Sequence, residues 1–287
     1  MIDTESQQEA LVAMADADAA AESRPWWGDY LLPEGRNGMR WQIGPLHLQA
    51  RWWPQEWRLA WHHDGDPLET AVEYRPMDEI EEAVGMTTSR YAVSRAPRQL
   101  RLLPRVADRS VVVRPDIPLY LPSGEETVIY VSTSVWIQLA TVDEQSNRTV
   151  ILNEMPGYRP SDSFFGANTR EGDVCYASRS LARLRMEDVI QRPHRVLTPL
   201  TVRNKGEDSL LIERLSVPLP LLTLYASGNQ QLWTQPLTME RGNDGKDGAL
   251  KLEEMQLPES MQVKKLSDPR ETPDKQGLLR ALDRLLG

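Results

Sequence analysis

One cysteine and four histidines among 287 residues narrow the chemistry that this chain can stage. A thiol nucleophile needs a base within hydrogen-bond reach, and His194 is the histidine nearest in sequence to Cys175. Arg170 and Arg179 would make its surroundings electropositive, yet a lone cysteine is among the most buried residue types, which favours a core role. His62-His63-Asp64-Gly65-Asp66 has donors that suit a metal, but neighbouring strand residues face opposite ways, so a hairpin turn is the better reading. Asp244-Gly245-Lys246-Asp247-Gly248 lacks the bidentate Glu of a calcium loop and reads as a plain β-loop. Asp162, Glu171 and Asp173 are acid–base carboxylates by type, and equally turn caps or partners of nearby arginines. A thiolate-rich zinc site cannot be assembled from this inventory. No catalytic set, no metal and no cofactor is assigned.

Two other features are binding chemistry. Between Arg90 and Arg114 stand seven arginines (Arg90, Arg95, Arg98, Arg101, Arg105, Arg109 and Arg114) against the single acid Asp108. Guanidinium groups grip phosphate or carboxylate in pairs of hydrogen bonds, so this run is either an anion patch or a solvent face paired with acids from elsewhere. Seven of the nine tryptophans fall between Trp26 and Trp61. Exposed, they form a stacking platform; buried, they form core, with Trp26 and Trp27 as the expected exceptions. The ligand-binding candidates are therefore Arg90, Arg95, Arg98, Arg101, Arg105, Trp26 and Trp27. The net charge of −9 is weighted toward the first 21 residues, which hold five acids and no base. That acidic tail is long enough to mask the arginine run.

The elements that must position these groups follow from periodicity. Leu46, Leu48, Ala50 and Trp52 alternate with polar neighbours, and Trp57, Leu59 and Trp61 resume the pattern after Pro54, which predicts two paired antiparallel strands. Met77, Ile80 and Val84 have helical spacing and Gly85 stands at the C′ position, which predicts one short helix after that hairpin. Short β-type runs divided by turn residues continue to residue 152, an irregular loop is expected over 153–172, and hairpin-linked strands over 196–240 with turns at Asn204-Lys205-Gly206 and Ser227-Gly228. Strands at such spacing predict a mainly β, antiparallel, sandwich-like architecture. Thr272 as N-cap, Pro273 at N1 and the stripe Leu278, Leu279, Leu282, Leu285 and Leu286 predict a C-terminal amphipathic helix that docks on its own body, in a partner's groove or, with Arg280 and Arg284, at a membrane interface. The expected division is an acidic tail (1–22), a Trp-rich β domain (23–152), a second β domain (153–255) and a linker with the helix (256–287).

Asp3, Glu5 and Glu9 precede any apolar stretch, unlike a secretion signal, and no window reaches the roughly 18 apolar residues of a spanning helix. With a single cysteine, these traits predict a cytoplasmic protein that does not span a membrane.

The run 164–178 (FFGANTREGDVCYAS), with Ile43-Gly44-Pro45-Leu46 and the stretch 194–202, resembles a prokaryotic family catalogued as domain of unknown function 432, over roughly residues 26–255. The resemblance carries no catalytic residues. It implies a partner, since genes of that family can lie beside those of small-conductance mechanosensitive channels. The leading expectation is a non-enzymatic interaction or regulatory module whose partner is a membrane channel or another copy of the chain. The alternative is a carbohydrate or small-ligand binder or enzyme built on the aromatic segment and the 153–172 loop; nucleic-acid binding ranks below both.

Overall fold

The computed structural model describes residues 24–93, 97–143, 148–166, 172–180, 183–242, 248–255 and 262–272. In chain order the strands are β1 (Gly28–Leu31), β2 (Gly38–Ile43), β3 (Leu46–Trp53), β4 (Glu56–His63), β5 (Val72–Met77), β6 (Thr87–Ala92) and β7 (Gln99–Arg105). β8 (Val111–Pro115), β9 (Leu119–Leu121), β10 (Glu126–Ser134), β11 (Trp136–Asp143), β12 (Arg148–Pro156), β13 (Ser161–Gly166) and β14 (Gly172–Ser180) follow. The last are β15 (Arg195–Asn204), β16 (Leu210–Ile212), β17 (Leu215–Val217), β18 (Leu224–Ala226), β19 (Leu232–Thr234), β20 (Leu237–Arg241), β21 (Gly248–Leu252) and β22 (Lys264–Ser267).

These strands form five sheets: β5-β2-β3-β4-β6; β1-β7-β11-β12; β13-β14-β8-β17; the pair β16-β9; and a seven-stranded sheet, β21-β20-β15-β19-β18-β22, in which β10 also pairs with β15. The expected β3–β4 pairing is present in register, with Leu48 opposite Trp61 and Trp52 opposite Trp57. Its inward face is the one the alternation marks: Leu46, Leu48, Ala50, Trp57 and Leu59 are fully buried, while Trp52 and Trp61 pack half-buried against them. Each buried Leu of that face contributes about 2 kcal/mol through the water it gives up. One large core cluster draws residues from all five sheets, from Trp26 to Leu250.

The sandwich expectation is corrected. β14 runs parallel to β8, and β15 runs parallel to both β19 and β20, so the sheets are mixed and open rather than two stacked antiparallel layers. The reason is local to Asn204, where a hairpin turn was expected: its side-chain Nδ2 donates to the carbonyls of Leu121, Pro122 and Asp208. β16 is thereby drawn to β9, and β17 to β8, instead of folding back on β15. Residues 153–172, expected as an irregular loop, contain the end of β12, all of β13 and the first residue of β14.

The helix expected over 77–84 is absent. Residues after β5 cross the outer face of the first sheet, where buried Gln49 accepts a hydrogen bond from the Glu81 amide (2.8 Å) and donates one to the Glu81 carbonyl (2.9 Å). A side chain has replaced the helical ladder, and Val84, on the supposed buried stripe, is 99% exposed. The amphipathic helix expected after Thr272, with Leu278, Leu279, Leu282, Leu285 and Leu286, falls outside the described residues. Among the described residues the helical pieces are two 3₁₀ turns, Met186–Asp188 and Leu219–Leu221, so the fold class is mainly β without longer helix.

Replacing Gln49 by Leu leaves both Glu81 main-chain groups without their partner, at a cost of about 1–2 kcal/mol. Amide exchange at Glu81 is expected to quicken about tenfold. Unchanged exchange would mean that the flanking ion pairs Arg36–Asp78, Arg40–Glu81 and Arg51–Glu79 hold the segment by themselves.

Candidate functional site

The segment that feeds β15 carries five arginines between residues 179 and 195 against two acids, Glu187 and Asp188. Its start is fixed by the Tyr130 amide donating to the Arg183 carbonyl (2.8 Å), then a 3₁₀ turn and Pro193 bring it to Arg195 at the head of β15. β15 lies antiparallel to β10 with Arg195 opposite Ser134, so its guanidinium reaches diagonally to Ser132. Nε donates to the Ser132 hydroxyl (2.8 Å) and Nη2 to the Ser132 carbonyl (2.5 Å).

Arg183, Arg192 and Arg195 converge on a cavity of about 250 Å³ that also has Asp116, Asp188 and Ser132 on its wall. Leu68, Val189 and Ile190 make its apolar side. Among the described residues none of these three arginines forms an ion pair, whereas Arg185 in the same segment is taken by Glu187. Burial, and next the charge of Arg192, push the Arg195 pKa down to about 10. Among the described residues, three guanidinium groups against two carboxylates leave the cavity one positive charge in excess at neutral pH. A desolvated guanidinium without a counter-ion is costly, and an oxyanion is the group that relieves it.

A second cavity of about 270 Å³ adjoins the first through Arg192 and is lined by Trp26, Trp27 and Arg24 together with the amides Gln191, Asn229 and Gln231. Trp26 is buried and pinned by its Nε1 donating to the Pro193 carbonyl (2.9 Å). Trp27 stands against it edge-on, with centroids 5.4 Å apart and planes at 87°. A third cavity, of about 350 Å³, lies on the outer face of the first sheet under residues 81–83. Glu73, Gln42, His47 and His62 form one cross-strand row on its floor, and the two imidazoles stack at 4.9 Å. Glu73, Glu81 and Glu82 against Arg40 and Arg75 leave this cavity without excess positive charge.

The described arginines of residues 90–114 lie on β6 (Arg90), β7 (Arg101 and Arg105), β8 (Arg114) and the stretches between them. Arg90 pairs with Glu56 (2.6 Å), and Arg101 grips both oxygens of Asp29 (2.5 and 2.8 Å), which holds that carboxyl below its ordinary range. Arg98 donates to the carbonyls of Pro33 and Arg36 and lies over the Trp52 ring. Arg105 is half-buried, its pKa lowered by burial and by Arg270. Arg95 lies outside the described residues. Cys175 is buried beside Val112 and Phe165, and His194 spends its Nε2 on the Pro67 carbonyl (3.0 Å). Asp162 is held between Arg109 and Arg159. His62 and His63 end β4, with His63 directed at the Pro156 carbonyl. Glu171 and residues 243–247 lie outside the described residues.

Trp26 and Trp27 are thus placed on a cavity wall, while the arginines at the oxyanion cavity were not among the sequence candidates. The arginine density of 179–195 is their signal in the sequence, although nothing there separates Arg195 from Arg185. Among the described residues no helix is long and apolar enough to cross a membrane. A model of the family described as protein of unknown function (DUF432) matches residues 26–285. No curated protein and no solved structure matches the chain.

Proposed function

This chain belongs to the DUF432 family, so its function must be argued from its site, and we propose a non-enzymatic regulatory module that binds a small oxyanion, phosphate or carboxylate, between Arg183, Arg192 and Arg195. The observation that supports the reading is Arg195, whose guanidinium is desolvated yet meets only Ser132, with no carboxylate partner among the described residues. The apolar side made by Leu68, Val189 and Ile190 suits a ligand whose charge sits at one end. Ser132 is held as an acceptor by Arg195, which favours a binding role over a nucleophilic one.

A ligand held without chemistry acts by changing a contact. The receiver in this reading is a protein partner, a membrane channel or another copy of the chain, and the compartment is the cytoplasm. Calorimetric titration with inorganic phosphate and with acetate tests the site. Saturable 1:1 binding by either anion, with a matching rise in Tm, is the expected result. No saturable binding by both would sink the proposal.

A further inference from the structure

We propose that the ligand of the arginine cavity carries a flat ring, base or sugar, that lies against Trp27 in the adjoining cavity; this rests on the oxyanion reading of the first cavity. Arg192 lines both cavities, and the segments 68–72 and 189–193 border both, so one molecule can present its charge on one side of Arg192 and its ring on the other. Among the described residues the second cavity has no carboxylate on its wall, while Arg24 and Arg192 are there, so these residues do not repel an anionic ligand.

Two buried polar atoms on this wall point to an occupant. Gln231, 4% exposed, donates its Nε2 to the Leu232 carbonyl, but its Oε1 has no donor among the described residues. The buried Nε of Arg192 has no acceptor among the described residues. Buried polar groups are almost always satisfied, so Gln231 Oε1 calls for a donor and Arg192 Nε for an acceptor, roles that sugar hydroxyls, or the amines and ring nitrogens of a base, supply. Trp27 adds what such a ring needs on its other side. It is half-buried and held perpendicular to Trp26, which is itself anchored to Pro193, so an aromatic surface stands fixed beside the amides Gln191 and Asn229. Aromatic surface fringed by planar amides is the chemistry that holds bases and sugar rings.

The test compares calorimetric affinities of inorganic phosphate, adenosine monophosphate and glucose 6-phosphate for the full chain and for Trp27→Leu, which keeps apolar bulk but removes the ring. A ring-bearing phosphate is expected to bind at least about tenfold more tightly than inorganic phosphate. That advantage should vanish in Trp27→Leu, with inorganic phosphate unchanged; Gln191→Ala, at the rim, should lose part of it. Preference for the nucleotide assigns a base and preference for the sugar phosphate a sugar, and both support the proposal. Ring-bearing phosphates that bind no better than inorganic phosphate overturn it and leave the oxyanion site standing. Failure of inorganic phosphate to bind at all overturns the oxyanion reading, and this inference with it.

Discussion

Replacing Arg195 by Met is expected to lower affinity for inorganic phosphate about 100-fold while leaving the urea midpoint unchanged or raised. The two effects have one cause. The Arg195 guanidinium, largely withdrawn from water, donates to the hydroxyl and carbonyl of Ser132 and meets no carboxylate among the described residues. Relieving the desolvation of the guanidinium offsets the loss of the two hydrogen bonds to Ser132, each worth about 1 kcal/mol, so no net loss of stability is expected. Removing one partner of a buried, hydrogen-bonded charge pair costs about 2–5 kcal/mol in binding, and about 2.7 kcal/mol is the 100-fold loss. Arg195→Lys keeps the charge without the planar fork and should recover only part of the affinity. A purely structural Arg195 would give the opposite pattern, a falling midpoint with phosphate affinity untouched.

Lowering the pH from 7 to about 4.5 is expected to destabilise the protein through His194, and a variant that cannot titrate there should show a flatter profile. His194 is fully buried between two glycines. A Cβ built on Gly44 would lie 2.2 Å from its Nδ1, and one on Gly157 would lie 2.9 Å from its Cβ. Gly44 has φ +57°, the positive value that the first position of a two-residue hairpin loop requires, so β2 and β3 turn directly onto the imidazole. Nε2 carries the hydrogen that reaches the Pro67 carbonyl, and Nδ1 has no partner among the described residues, so a second proton would find no acceptor among them.

Burial, then the charge of Arg195, push the pKa of His194 down to about 4. An unfolded imidazole protonates near pH 6.5. Between those values the unfolded state binds more protons than the folded state. Stability is therefore undiminished above about pH 7 and falls as pH drops, by about 3 kcal/mol at most. Urea midpoints of the wild type and His194→Gln across that range measure it. His47, lowered by burial and by His62, adds a slope of its own, so the variant should remove part of the dependence. Parallel profiles for the two proteins would show that His194 titrates normally. Gly44→Ala combines a left-handed backbone with a collision against this ring and should cost about 3 kcal/mol at any pH.

Much of the β architecture was legible because alternation reports burial. The β3–β4 pairing and its inward row from Leu46 to Leu59 follow from period-two spacing, and so does the β18–β19 hairpin around Ser227 and Gly228. Alternation does not name the partner strand, which is where the sandwich expectation failed: β15 takes β10, β19 and β20 as neighbours, two of them parallel. The helical spacing of Met77, Ile80 and Val84 misled because the segment's main chain is tied at Glu81 to the side chain of Gln49, 32 residues away. The arginine cavity was hidden for a similar reason. What distinguishes Arg195 from the paired Arg90 or Arg101 is its surroundings, set by Ser132 across 63 residues of chain. Charge density in the sequence counts guanidinium groups; it cannot show which of them lack a carboxylate.

The most direct test is anomalous diffraction from crystals equilibrated with tungstate, a heavy tetrahedral oxyanion of phosphate's shape. The account predicts a peak in the cavity with tungstate oxygens about 3 Å from the Arg195 guanidinium and within reach of Arg183 or Arg192. An empty cavity under saturating tungstate, or peaks confined to exposed arginines elsewhere, would contradict it.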